Sequence, residues 1–369
     1  MKHDVLAWAE GHPTKKLISK ETLNHRGLIE MVSGLDVYQH TAEAYRRAYF
    51  ALGIDIINRV PLENAPVPTP AGTTRPHPTR PYHLAPLGIY DTVSRHTYLC
   101  QTPQEVWTLD MNTANYQDLL VPVPHPCTTG DIQAREAAID DVGLYYPMLY
   151  TTLFMWPVEL LGWEVFMLAA ISEKDRFHEH VLLPCAQKSK DIVAEMARAS
   201  TNPFLYVHDD LALATGPFFR PAWYDAYIFP HYPDIWQAAK AGGKKIIFVA
   251  DGNMTKFLPR LLEAGVDGIM FENPATPLEA VIEHFGQPGQ FLIGGIETVT
   301  LTSGTPEDVR RMVFELYDQV QHLSGFALAS CGGLHGNIPL ENLEAYFDAR
   351  VAIGATPKDW RGRGRGTVT

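Results

Sequence analysis

From about residue 146 onward, continuous apolar runs alternate with longer stretches in which apolar residues recur every three to four positions. Short apolar runs bounded by turn signals predict buried strands, and the spaced pattern predicts amphipathic helices. The strands fall at 146–155, 204–208, 244–250, 266–271, 291–296 and 326–330. A long helix is predicted over 173–199, with Phe177, Val181, Cys185, Ile192 and Met196 on one face and a kink at Pro184. Another spans 221–242, opened by Pro221 and closed by Gly242. Shorter helices are expected at 254–264 and 277–285. At 305–308, Thr305 is an N-cap, Pro306 takes the first helical position and two acids fill the first turn. Val309, Met312, Val313, Leu316 and Val320 then form one apolar face, and Leu340, Leu343, Phe347 and Val351 line a last helix.

The first sixty residues predict helices at 19–33 and 41–52, the second ended by Gly53. Residues 61–86 carry eight prolines and predict no regular element. Arg75, His77, Arg80, Tyr82 and His83 lie in that run. They form either a passive surface loop or a lid that meets an acidic or aromatic ligand. Repeated strand–helix units predict an α/β fold, a single (β/α)8 TIM barrel with an N-terminal helical extension. Neither GxGxxG nor GxxxxGK[ST] is present, which argues against Rossmann and P-loop folds. The expected divisions are helices and a Pro-rich loop packed on the barrel over 1–90, the catalytic barrel over 91–353, and a disordered basic tail over 354–369.

Composition narrows the function. The 369 residues carry 30 Lys+Arg against 42 Asp+Glu, a net charge of −12. That balance argues against a nucleic-acid or anionic-membrane partner. Four dispersed cysteines (Cys100, Cys127, Cys185, Cys331) form no CxxC and exclude a disulfide scaffold or zinc finger. No apolar leader segment stands at the N-terminus, and the most apolar stretch, 145–171, is broken by Pro157, Glu159, Gly162 and Glu164. A cytoplasmic protein is expected.

In a TIM barrel the chemistry lies at the C-terminal ends of the strands. Those ends carry His208, Asp209 and Asp210; Asp251 and Asn253; Glu272; Glu297; and Cys331, followed by His335. A single Asp after a strand is commonly a helix cap, and a Cys there commonly packs. Their conjunction at five strand ends marks a functional rim. Asp209, Asp210, Asp251 and Glu272 are the candidate catalytic acids and bases. His208, Asn253, Glu297 and His335 are candidate substrate contacts. Cys331, with these carboxylates and His208 or His335, is the candidate metal-binding set. Carboxylates with Cys and His suit either a zinc site with an open position or metal-free acid–base work by paired carboxylates.

The segments HDDLALATGPFFRPAWYDAYIFPHYPDIWQAAKAGGKKIIFVADGN, LLEAGVDGIMFENP, FLIGGIET, GTPEDVRRMV and NIPLENLEAYFDA resemble the uroporphyrinogen decarboxylase superfamily, which includes corrinoid-dependent methyltransferases. The resemblance spans about residues 200–353, weakens over 146–200 and is faint before that. It implies a TIM barrel with N-terminal helices wrapped round it. The arginine-rich MRQAGR segment of the true decarboxylases has no counterpart here. The zinc-dependent thiol methyltransferases carry H-x-C-G where this chain has Val249, Ala250, Asp251 and Gly252, so two zinc ligands are replaced, while Cys331 matches a later cysteine. An altered, oxygen-richer site would draw on Asp251, Cys331 and Glu272, His208 or His335. The resemblance thus implies a methyltransferase that takes a methyl group from a small methoxylated or methylated substrate and passes it to a separate corrinoid protein, since no D-x-H-x-x-G segment is present. It also implies a possible homodimer. The competing expectation is a metal-independent decarboxylase or lyase of a small carboxylic acid.

Overall fold

The computed structural model describes residues 2–65, 82–83, 88–89, 92–93, 98–111 and 128–366. At its centre is a curled parallel sheet of nine strands. In chain order these are β1 (Ile18–Lys20), β2 (Ile56–Ile57), β3 (Leu144–Tyr145), β4 (Met148–Leu149), β5 (Phe204–His208), β6 (Lys245–Ala250), β7 (Gly268–Phe271), β8 (Phe291–Ile296) and β9 (Phe326–Ser330). Their order across the sheet is β3-β2-β1-β9-β8-β7-β6-β5-β4. The strands at its two edges, β3 and β4, are separated in the chain only by Tyr146 and Pro147. The strands read as unbroken apolar runs (KIIFVA, GIMF, FLIGGI, FALAS) because both faces are covered.

The principal helices are α1 (Lys2–Ala9), α2 (Arg26–Ser33), α3 (Thr41–Leu52), α4 (Met155–Leu161), α5 (Trp163–Ser172), α6 (Leu183–Ala199), α7 (Leu258–Glu263), α8 (Leu278–Phe285), α9 (Pro306–Val320) and α10 (Leu340–Ala352). One face of the sheet packs against them in the larger core. The other face holds a separate apolar cluster that includes Ile18, Tyr206, Ile247, Met270, Ile293 and Ala329. Helix α1 covers the N-terminal end of that cluster. Its buried Trp8 ring lies 5.2 Å from Phe204 and 4.7 Å from Phe291.

Several expectations are corrected. The first sixty residues are not purely helical: β1 pairs with β9 and β2 with β3, so this segment belongs to the central sheet. The helix expected from residue 19 begins only at Arg26, where the His25 ring accepts the Leu28 N–H at 3.1 Å. The strand expected at 146–155 is only Met148–Leu149. The helix expected over 221–242 is four pieces, Pro221–Tyr227, Phe229–His231, Tyr232–Ile235 and Gln237–Ala241, because Pro230 and Pro233 supply no N–H to a continuous helix. Pro184 sits in the first turn of α6, and the break ahead of it is taken up by a π-turn at His178–Leu182. The tail expected to be disordered is placed as far as residue 366: Trp360 is buried and Arg365 donates to the Met31 carbonyl at 2.8 Å. Most of the Pro-rich run, with Arg75, His77 and Arg80, lies outside the described residues. Tyr82–His83 forms a short antiparallel pair with Thr92–Val93.

No single helix among the described residues is long and apolar enough to cross a membrane. Helices α4 and α5 pass that length and composition test only as a pair bent by 119°.

Candidate functional site

Side chains alternate faces along a strand. Following the inner row to the end of each strand, or one residue beyond it, places Lys20 after Ile18, His208 after Tyr206, Asp251 after Val249, Glu272 after Met270 and Cys331 after Ala329. Most of the strand-end residues named above thus rise from one face, at the C-terminal mouth of the sheet.

His208 is buried at the end of β5. Its Nδ1 lies 2.6 Å from the Tyr150 carbonyl, so Nδ1 carries a proton and donates it there. The Tyr150 ring stacks on the imidazole at 4.7 Å. Nε2 faces Asp210 Oδ1 at 3.2 Å. Burial alone would lower the His208 pKa, but the Asp210 hydrogen bond and charge, the Tyr150 carbonyl and Asp251 outweigh it and raise it to about 9. The same pairing holds Asp210 below the usual carboxylate range against its own burial.

Asp251 lies exposed at the mouth. Loss of hydration, then the charges of Asp210 and Glu272, push it up to about 6, while His208 and Lys20 pull the other way. The backbone around it is clasped by its neighbours. Asp210 accepts the Asp251 N–H at 2.9 Å and Glu272 accepts the Gly252 N–H at 2.8 Å. Gly252 has φ +76°, and a Cβ there would lie 2.1 Å from the Ala212 carbonyl oxygen. Only glycine lets the hairpin of Ala212–Leu213 and Gly216–Pro217 close over this turn.

The ligand atoms of His208, Asp210 and Asp251 all lie within 4.8 Å of one another. One imidazole nitrogen and two carboxylates make an oxygen-rich donor set that suits a divalent cation. The ring orientation set by the Tyr150 carbonyl is the usual support for a metal-binding histidine. Of Asp251, Glu272 and Cys331, only Asp251 is in this cluster. Glu272 spends an oxygen on the Gly252 N–H. Cys331 points its thiol at the Phe271 carbonyl (3.3 Å) and accepts the Asn273 N–H (3.4 Å). Burial pushes that thiol up to about 11.

The other expected residues lie elsewhere. Asp209 is fully buried on the outer row; it accepts the N–H groups of Leu153, Phe154 and Met155, each at 2.8 Å, and the Tyr232 hydroxyl at 2.9 Å. It caps the start of α4. Asn253 accepts the Thr255 N–H at 3.1 Å and shapes a turn. Glu297 accepts the Thr300 hydroxyl beside a surface groove bordered by Asp308 and Arg311. His335 lies in a two-residue strand paired with Leu23–Asn24, where it accepts the Asn337 N–H at 3.3 Å.

The sequence reading missed Lys20 and Tyr206. Lys20 is 3 % exposed, and burial pulls its ammonium down to about 8. Its strand is three residues long and set among charged residues, so no apolar run announces it. Tyr206 lies within a strand that was recognised, and only the inner-row alternation with His208 would have singled it out.

The family profile described as Uroporphyrinogen decarboxylase (URO-D) matches residues 160–352. No curated protein matches the chain. Among solved structures, D-psicose 3-epimerase with D-tagatose from Clostridium cellulolyticum H10 is similar at 7 % identity and TM-score 0.42, with 86 % of this chain and 93 % of that one covered. A sugar phosphate isomerase/epimerase from Parabacteroides distasonis ATCC 8503 is similar at 11 % identity and TM-score 0.38, with 94 % and 99 % covered. A xylose isomerase-like TIM barrel protein from Mycobacterium smegmatis in complex with magnesium is similar at 10 % identity and TM-score 0.37, with 92 % and 98 % covered.

Proposed function

Because the chain belongs to the uroporphyrinogen decarboxylase family, we propose that the His208–Asp210–Asp251 cluster is the active site of a methyltransferase acting on a small methoxylated or methylated substrate, with a corrinoid protein on a separate chain as acceptor. The sheet is read here as an eight-stranded (β/α)8 barrel in which β3 and β4 are halves of one strand, a reading supported by their separation of only two residues. The observation that carries the function is the convergence of one imidazole nitrogen and two carboxylates at the strand ends.

A divalent cation held by His208 Nε2, Asp210 and Asp251 would supply Lewis-acid polarisation of an ether oxygen, whose alkoxide or phenoxide is otherwise a poor leaving group. The remaining work falls to the protein. The Tyr150 carbonyl holds the His208 ring so that Nε2 faces the mouth. Glu272 and Asp210 hold the Asp251–Gly252 turn, which keeps the Asp251 carboxylate in place. The stacked Tyr150 ring covers one face of the His208 imidazole.

A second reading is favoured by a specific contact. His208 Nε2 and Asp210 already form a satisfied pair at 3.2 Å, and Asp251 is poised near 6. Such a set can move protons without a cation, as a decarboxylase or lyase of a small carboxylic acid requires. Elemental analysis of the purified protein, grown with zinc and stripped of loose metal, separates the two. About one zinc per chain, with demethylation of methoxylated donors in the presence of a corrinoid acceptor, is the expected result. Metal-free protein that releases carbon dioxide from carboxylic acids would replace the first reading with the second.

A further inference from the structure

On the inner row, two buried donors are not fully spent. Lys20 Nζ contacts the Thr22 hydroxyl oxygen at 3.1 Å, and that hydroxyl donates onward to Asn58 Oδ1 at 2.9 Å. No carboxylate lies within ion-pair distance of Nζ among the described residues. The neighbouring Glu21 is engaged instead by Ser330, Tyr346 and Arg350 on the other side of β1. The ammonium therefore keeps N–H groups to spare in a place with little water. Tyr206 is fully buried, and its hydroxyl has no hydrogen-bond partner among the described residues. The Tyr146 ring joins the two: its centroid lies 5.9 Å from Lys20 Nζ and 3.9 Å from the Tyr206 ring. Both donors belong to the inner row, and Tyr206 stands one inner step below His208.

A buried ammonium without a counter-ion and a buried hydroxyl without an acceptor are both unfavourable. A bound anion relieves both. We propose that Lys20 and Tyr206 form a carboxylate-binding subsite on the floor of the mouth, so that the substrate carries a carboxylate. A singly charged group suits the site better than a phosphate, because Asp210, Asp251 and Glu272 at the rim oppose a second negative charge. This deepens the functional reading above and rests on it only for the identity of the mouth as the active site.

The test is calorimetric titration of the full chain with acetate and benzoate, each against its neutral amide. The carboxylates are expected to bind at least tenfold more tightly than the amides. Lys20→Met is expected to abolish that preference, and Tyr206→Phe to weaken carboxylate binding about three- to tenfold. Lys20→Met removes an uncompensated buried charge, so its melting temperature without ligand is expected to equal or exceed that of the wild type. Equal affinity for acid and amide in the wild type, a preference that survives Lys20→Met, or a melting temperature several degrees lower would each overturn the subsite. Turnover of 4-methoxybenzoate against 4-methoxybenzamide separates this proposal from methyl transfer itself. A binding preference with neither compound demethylated leaves the subsite standing and removes the methyl-transfer reading. Equal demethylation of both does the reverse.

Discussion

Asp209 and Asp210 are adjacent in the chain, and the alternation of side chains past β5 sends them to opposite faces. Asp209 ends among backbone N–H groups, Asp210 beside His208. Asp209→Ala leaves three N–H groups and the Tyr232 hydroxyl without their acceptor, and is expected to cost about 2–4 kcal/mol in denaturant unfolding. Asp251→Ala is expected to leave the melting temperature near that of the wild type while activity falls to background; a fully active variant would remove Asp251 from the site. Cys331→Ser is expected to leave metal content unchanged, since the thiol faces a carbonyl instead of the cluster. The His208–Asp210 pair gives a pH signature. The imidazole is raised to about 9 in the folded protein, above its ordinary 6.5, so the pair stabilises the metal-free fold below about 6.5. That contribution, on the order of 3 kcal/mol at most, fades as pH rises through about 9. The stability gap between wild type and Asp210→Asn should narrow from pH 6 to pH 10. A constant gap would show that the pair does not titrate.

Helix α9 shows why some elements are readable from residues alone. Its start combines a side-chain cap, a proline at the first position and acids in the first turn, all local signals. The structure adds the reciprocal half: Thr305 accepts the Asp308 N–H at 3.2 Å while Asp308 accepts from Thr305. Thr305→Ala is expected to destabilise the protein by about 1 kcal/mol. The Thr305 hydroxyl, its N–H and Arg311 hold Asp308 down to about 2, so its contribution is present above about 4 and lost as pH falls towards 2. Wild type and Asp308→Asn should therefore converge in stability near pH 2, as read by circular dichroism. Strands β1 and β2 lacked such signals. They span three and two residues, too short for any periodicity, and their pairing depends on β9 and β3, which lie far along the chain. Lys20 was lost with β1. His208, Asp210, Asp251 and Glu272 were legible because each follows a long apolar run, whereas their separation from Asp209, Asn253, Glu297 and His335 depends on orientation, which strand-end position alone does not give.

At the scale of the molecule, the two ends of the chain are tied through a buried ion pair. Glu21, just after β1, takes hydrogen bonds from Arg350 (3.2 Å) and Tyr346 on α10 and from Ser330 at the end of β9. Both charged side chains are fully buried. Breaking the pair leaves an unpaired buried charge, and Arg350→Met is expected to cost about 3–5 kcal/mol, with unfolding still a single transition by both fluorescence and circular dichroism. The sheet those residues anchor has a further property. A strand at the margin of an open sheet shows a row of unpaired amides and carbonyls to which another chain can add, the first step towards fibres. Here the two marginal strands are consecutive two-residue pieces of one six-residue stretch, 144–149. The stretch is paired to β2 on one side and β5 on the other, and Tyr146 N–H and the Pro147 carbonyl continue the pairing between them. Among the described residues this sheet therefore offers no long bare border along which a second molecule could zip, and strand addition has little to pair with.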